Sequence, residues 1–228
     1  MGRLAVILGS NALGAGGGGI AAAAAEHGAA IVQRHGGADR PYVLPHEIDH
    51  AANLRPLVEQ GCDRVLAVGS VGSLRPEIEV GEFVCPHDFI ALQFGVSSRT
   101  DASAHMTPGF DPIWRQEVVA VWESGEVSAP LRDGGVYWQT IGPRFETPAE
   151  IRLLAAHADL VGMTIAAECI VAGELGLAYA AICVVDNLAN GIGPGALSVA
   201  EMEADRQANA GRLREALSAL LPRLGTLG

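Results

Sequence analysis

Long apolar runs, paired cysteines and basic clusters are all missing from these 228 residues, and each absence excludes a class of protein. The alanine run Ala21 to Ala25 meets Glu26 and His27 at once, far short of the ~20 apolar residues that cross a bilayer. No arginine-led apolar segment opens the chain, so the expectation is a soluble, cytoplasmic protein with no membrane partner. Cys62, Cys85, Cys169 and Cys183 stand singly among apolar neighbours. They lack the close spacing of zinc ribbons or redox pairs and read as buried, reduced thiols. A formal charge of −11, with no basic cluster between Arg152 and Arg214, excludes nucleic acid as a partner, because polyanions are bound by clustered lysine and arginine. Any anionic ligand must then be small and met by a local pocket of donors.

What the sequence does have is core material, with 49% hydrophobic residues against 18% charged, enough for one compact domain spanning residues 1–228. Short apolar runs alternate with helical stretches, the pattern of an α/β fold in which helices flank a mixed, mostly parallel sheet. "RLAVILGS", "AAIVQRHGG", "DRVLAVGSVGS", "EFVCPHDFIAL", "VYWQTIG", "LVGM" and "LAYAAICVVDN" read as strands, being short apolar runs bounded by turn residues. Helices are expected at about Ala51 to Gln60, Pro148 to His157, Ala166 to Leu175 and Ser198 to Leu221, the last with Ser198 as N-cap and Glu201 completing a capping box. The stretch Ser97 to Pro108 reads as one long loop, a length that in compact domains often marks function.

Two motifs invite stronger readings and fail them. "HEIDH", His46 to His50, fits H-E-x-x-H, but a catalytic zinc site needs both imidazoles on one helix and a third ligand. Pro45 and Pro56 flank the match, and proline interrupts helical hydrogen bonding. In "LGSNALGAGGGG", Gly14, Gly16 and Gly19 have dinucleotide-motif spacing, yet they lie well past the strand end. The next strand ends in Arg34 and His35, where that motif requires a carboxylate. Two basic groups there suit phosphate, and Ser10 with nearby backbone N–H groups reads as part of a small-anion site.

The segments "QRHGG", "AVGSVGSL", "GPRFETPAE" and "VGMTIAAECIVAGELGLAYAAICVVDNLANG", in that order, resemble the trimeric purine nucleoside phosphorylase and methylthioadenosine phosphorylase family from about Arg34 to Gly191. "PHEIDHAAN" is similar to that family's P-x-x-I-N-Y-x-A-N segment. The resemblance implies a nucleoside phosphorylase-like fold, a homotrimer with sites near subunit boundaries, and a role in purine salvage. It also implies phosphorolysis, in which inorganic phosphate as co-substrate attacks the anomeric carbon and the base departs, with no metal or organic cofactor. The family's phosphate ligands fall on Ser10, Arg34, His35, Thr164 and, through its backbone, Ser70. Met163 falls where the sugar is met, and His105 where a histidine lines its 5′ side across a subunit boundary. Phe145 and Glu146 in "GPRFET" resemble the 6-oxopurine-specific members, in which the glutamate accepts from N1–H. Asp186 and Asn187 fall where the leaving-group residue stands, one of them donating to N7; with Arg34 and His35 they form the implied catalytic set.

The sequence also departs from that pattern. Some thirty residues are missing between the first strand and "RHG", Asp39 stands for a histidine, His50 for a tyrosine, and "AAE", Ala166 to Glu168, for "MPE". These departures bear on substrate choice more than on reaction type. They leave two alternatives to a 6-oxopurine enzyme with or without a 5′-methylthio group: a 6-aminopurine enzyme with Asp186 protonated, or a catalytically inactive nucleoside-binding relative.

Overall fold

The computed structural model describes residues 2–9, 17–36, 41–92, 95–193 and 199–227. Ser10, Asp39, the glycines 14 and 16, and the expected cap Ser198 lie outside them. In chain order the elements are β1 (Arg3–Leu8), α1 (Gly17–Glu26), β2 (Ala30–Gln33), α2 (His50–Glu59), β3 (Cys62–Ser73), β4 (Phe83–Cys85), β5 (Asp88–Ile90), α3 (Pro112–Val121), β6 (Leu131–Asp133), β7 (Val136–Gln139), α4 (Pro148–Ala155), β8 (Leu160–Gly162), α5 (Ile165–Glu174), β9 (Ala178–Leu188) and α6 (Val199–Leu224).

All the strands join one sheet built around β3 and β9, which run parallel along almost their whole lengths. On its other side, β3 pairs parallel with β1 in its first half and antiparallel with β8 in its last two residues, so the sheet branches there. Residues of β3 and β9 alternate between two cores. Leu66, Val68, Ala180, Ile182 and Val184 pack with α1, α3 and α6; Val65, Ala67, Val71, Ala181, Cys183 and Val185 pack with α2 and α5. Strands buried on both faces need unbroken apolar runs, which is why these two segments are legible as strands. A smaller cluster of Ile151, Leu154, Val161 and Ala189 seats α4. The α/β expectation of a mixed sheet with flanking helices therefore holds.

Several elements depart from the sequence reading. "EFVCPHDFIAL" divides into β4 and β5, and α1, α3 and β6 were not anticipated. Pro56 sits inside α2 without ending it. His46 lies exposed in a 3-10 turn, Pro45–Glu47, while His50 is buried at the start of α2 behind the N-cap Asp49. The two imidazoles thus share no helix, and the geometry that H-E-x-x-H requires is not formed.

Candidate active site

Beyond the C-terminal ends of β1, β2 and β3 and the N-terminus of α5 lies a cavity of about 300 Å³, within the range of small-molecule sites. Among the expected residues, Arg34, His35, Ser70, Phe145, Glu146, Met163, Thr164 and Asn187 line it; Asp186 and His105 do not.

Arg34 follows β2 directly, its N–H bonded to Leu8 O and its own carbonyl accepting from Asn53 Nδ2 of α2. Its guanidinium forms a fork on Glu168, Nε to Oε2 at 2.7 Å and Nη2 to Oε1 at 2.8 Å, while Nη1 donates to Val68 O at 2.8 Å. A Cβ on Gly9 would lie 2.9 Å from both Arg34 Nη1 and Val68 O, so a glycine is needed where the guanidinium crosses the strand ends. Glu168 is fully buried and also accepts from Tyr179 Oη at 2.6 Å. Burial alone would push its carboxyl up, but the charge and hydrogen bonds of Arg34 override that and hold it below the usual carboxylate range. Burial would likewise lower the Arg34 pKa, and Glu168 reverses the shift so that it is raised.

His35 is oriented by its neighbours. Its Nδ1 lies 2.8 Å from Val43 O, and its ring stacks on Tyr42 at 4.7 Å with planes 7° apart. A carbonyl only accepts, so Nδ1 carries the proton and Nε2 presents a lone pair when the ring is neutral. Burial lowers the pKa of this imidazole, and Arg34 adds to the effect. Thr164 stands at the N-cap of α5, where Tyr137 Oη accepts from the N–H of Thr164 at 3.2 Å and of Ile165 at 3.4 Å.

Met163 lines the same cavity as Arg34, His35 and Thr164, together with a polar pair. Glu146 accepts at Oε1 from Thr140 Oγ1 at 2.6 Å, and its backbone carbonyl accepts from Asn190 Nδ2 at 2.8 Å. One carboxylate oxygen is thereby fixed. Phe145, 40% exposed, forms the rim.

The β3–β9 register separates Asp186 from Asn187. Val71 pairs with Val185 and Gly72 with Asn187, so Asp186 is the extra residue of a bulge, a device that re-aims side chains beside it. Asn187 lines the cavity, with Nδ2 donating to Leu188 O at 3.0 Å. Asp186 is buried behind the wall, where it accepts from Ser70 Oγ and from Asn209 Nδ2 of α6. His105 is exposed at the end of the 3-10 turn Ala102–Ala104. Its loop is tied down by Glu174, which accepts from Ser97 Oγ, Ser98 N and Ser98 Oγ.

Sequence reasoning passed over Glu168, Tyr179, Tyr137, Thr140 and Asn209. Only Glu168 carried a signal, as an acidic residue within the apolar helix "TIAAECIVAG".

Residues 15–222 match the phosphorylase superfamily. The chain belongs to that superfamily. This phosphorylase-superfamily chain is 47% identical over 165 residues to a probable 6-oxopurine nucleoside phosphorylase of Archaeoglobus fulgidus, covering 72% of this chain and 66% of that protein. It is 40% identical over 176 residues to a probable S-methyl-5′-thioinosine phosphorylase of Methanothermobacter thermautotrophicus, covering 76% and 60%. It therefore spans slightly under two thirds of the length of these relatives. Among solved structures, a methylthioadenosine phosphorylase from Schistosoma mansoni in complex with adenine superimposes with a TM-score of 0.81 at 19% identity, over 100% of this chain and 93% of that one, a likeness of fold. The resemblance read from "QRHGG" through "VVDNLANG" is borne out.

Proposed function

We propose that the protein catalyses phosphorolysis of 6-oxopurine nucleosides, giving free base and a ribose 1-phosphate-type sugar. Inorganic phosphate is the co-substrate, and no metal or organic cofactor takes part. One observation carries this reading: a single cavity joins the Arg34, His35 and Thr164 end to a carboxylate, Glu146, pinned by Thr140. Arg34, Thr164 and Ser70 donate to phosphate and His35 Nε2 accepts from its remaining O–H, holding it against the anomeric carbon, which supplies the positioning part of the rate. A phosphate oxygen bonds to C1′ as the C1′–N9 bond breaks, and the electron pair leaves with the purine. Glu146 accepts from N1–H, and the Asn187 amide donates towards N7, stabilising charge that develops on the departing base. Asp186, behind the wall, fixes Ser70, and its position gives no support to a 6-aminopurine enzyme that relies on Asp186 as the acid.

The names of the two relatives support a 6-oxopurine, with the 5′ position open to a hydroxyl or a methylthio group. A cytoplasmic homotrimer acting in purine salvage completes the proposal. The test is base release from inosine, guanosine, adenosine and their 5′-methylthio forms, with and without phosphate and EDTA. Release should require phosphate and be indifferent to chelator; equal release in phosphate-free buffer would mean hydrolysis and end the proposal.

A further inference from the structure

Beneath the anion end lies a buried group that this mechanism does not use. Glu168 receives three hydrogen bonds, Oε2 from Arg34 Nε and Oε1 from Arg34 Nη2 and Tyr179 Oη. A carboxylate has about four lone-pair sites, so one on Oε2 is left over. His50, the first residue of α2 and only 6% exposed, places Nδ1 4.0 Å from that oxygen. This Nδ1 is a buried nitrogen with no hydrogen-bond partner. The family segment that "PHEIDHAAN" resembles has a tyrosine where this chain has His50.

The local charge count sharpens the point. Arg34 and Glu168 cancel, so with both histidines neutral, the end of the cavity meant for a dianion has no net formal charge. Burial holds the His50 imidazole down at about 4; Glu168 and Asp49 pull it up, while Arg34 and His35 push it down. These four are the charged and titratable groups acting on it, from α5, its own N-cap and the turn after β2, with Tyr179 of β9 reaching it through Glu168.

We infer that His50 is a proton-linked positioning residue for the oxyanion site. When a dianion docks against Arg34, His50 takes a proton from solvent, becomes an imidazolium and donates Nδ1–H to the open site on Glu168 Oε2. This steadies the Arg34–Glu168 fork and adds the positive charge that the dianion lacks. The inference rests on the reading of Arg34 as the phosphate-binding cation.

Sulfate tests it, since it remains a dianion from pH 5.5 to 7.5 and its own protonation does not intrude. Calorimetric titration of the wild-type protein in two buffers of different ionisation enthalpy should count close to one proton taken up per sulfate. The dissociation constant should rise about 5- to 10-fold per pH unit between pH 5.5 and 7. His50→Gln, whose amide can donate to Glu168 but cannot titrate, should bind sulfate with less than about a 2-fold change per pH unit. An unchanged wild-type slope in His50→Gln would assign the proton to His35 and overturn the inference. A wild-type count of zero overturns it even if the variant does not fold. Absence of any binding of sulfate or inorganic phosphate to the wild type would instead remove the phosphate reading itself.

Discussion

At the scale of single residues, the strongest demand falls on Glu146. An ionised carboxylate only accepts, and Thr140 Oγ1 already occupies Oε1, so a base that offers N1–H is matched and adenine, whose N1 is an acceptor, is not. A charge-assisted hydrogen bond is worth about 1.5–3 kcal/mol, so inosine should exceed adenosine in kcat/KM by roughly 10- to 100-fold. Glu146→Gln, which can still accept through its carbonyl, should shrink that ratio, and Glu146→Ala should shrink it further. Steady-state kinetics on the two nucleosides decides; a wild type that cleaves methylthioadenosine faster than methylthioinosine would sink the assignment. The bulge at Asp186 makes a second demand. If Asn187 donates to the leaving base as proposed, Asn187→Ala should lower kcat for inosine by about 100-fold or more. Asp186→Asn can keep a contact with Ser70 and should lose much less. Equal losses would mean that the two residues act as one unit.

At the scale of elements, the site depends on the N-terminus of α5, whose orphan N–H groups at Thr164 and Ile165 are satisfied by Tyr137 Oη reaching across from β7. Tyr137→Phe leaves both donors buried without that partner, which should cost about 1–3 kcal/mol in urea unfolding and raise the phosphate KM through displacement of Thr164. A variant with unchanged stability and an unchanged phosphate KM would show that this end of α5 is held by packing alone. The same element explains what could be read in advance. β1, β3 and β9 are continuous apolar runs and announce themselves, whereas β6 is three residues long, "LRD", too short for any periodicity. Helix α1 begins in glycines, the residue with the poorest helix propensity after proline, so tertiary burial of Ile20 and Ala24 overrides the local signal. Arg34, His35 and Thr164 were legible because they sit in family-like motifs on loops. Tyr137, Tyr179 and Asn209 were not, because their polar atoms meet the site only after strands and helices distant in sequence pack together.

At the scale of the whole molecule, the trimer and the response to acid can both be measured. Leu92, Ile113, Leu153 and Tyr42 are large apolar side chains more than half exposed; a subunit contact that covers Tyr42 would also close over the cavity rim it helps to line. Light scattering should give the mass of three chains, and a fully active monomer would count against the proposed assembly. The acid response follows from a sign that can be worked out. His50 is held at about 4 when folded, against 6.5 as the ordinary value, so between those pH values the unfolded chain binds a proton that the native state refuses. Stability must therefore fall as pH drops from 6.5 towards 4. His35, also lowered, acts in the same direction. Glu168 is depressed as a carboxylate, so its contribution is present above its unfolded pKa and is lost only at lower pH, as Arg34 is left without its partner. Urea titrations should show a loss on the order of 2–3 kcal/mol between pH 7 and 4.5. His50→Gln should flatten much of that slope. Saturating sulfate should flatten it in the wild type as well, because an anion that lets folded His50 accept the proton removes the difference between the two states. A wild-type slope that ignores sulfate, in protein shown to bind it, would separate the acid sensitivity of the fold from the anion site.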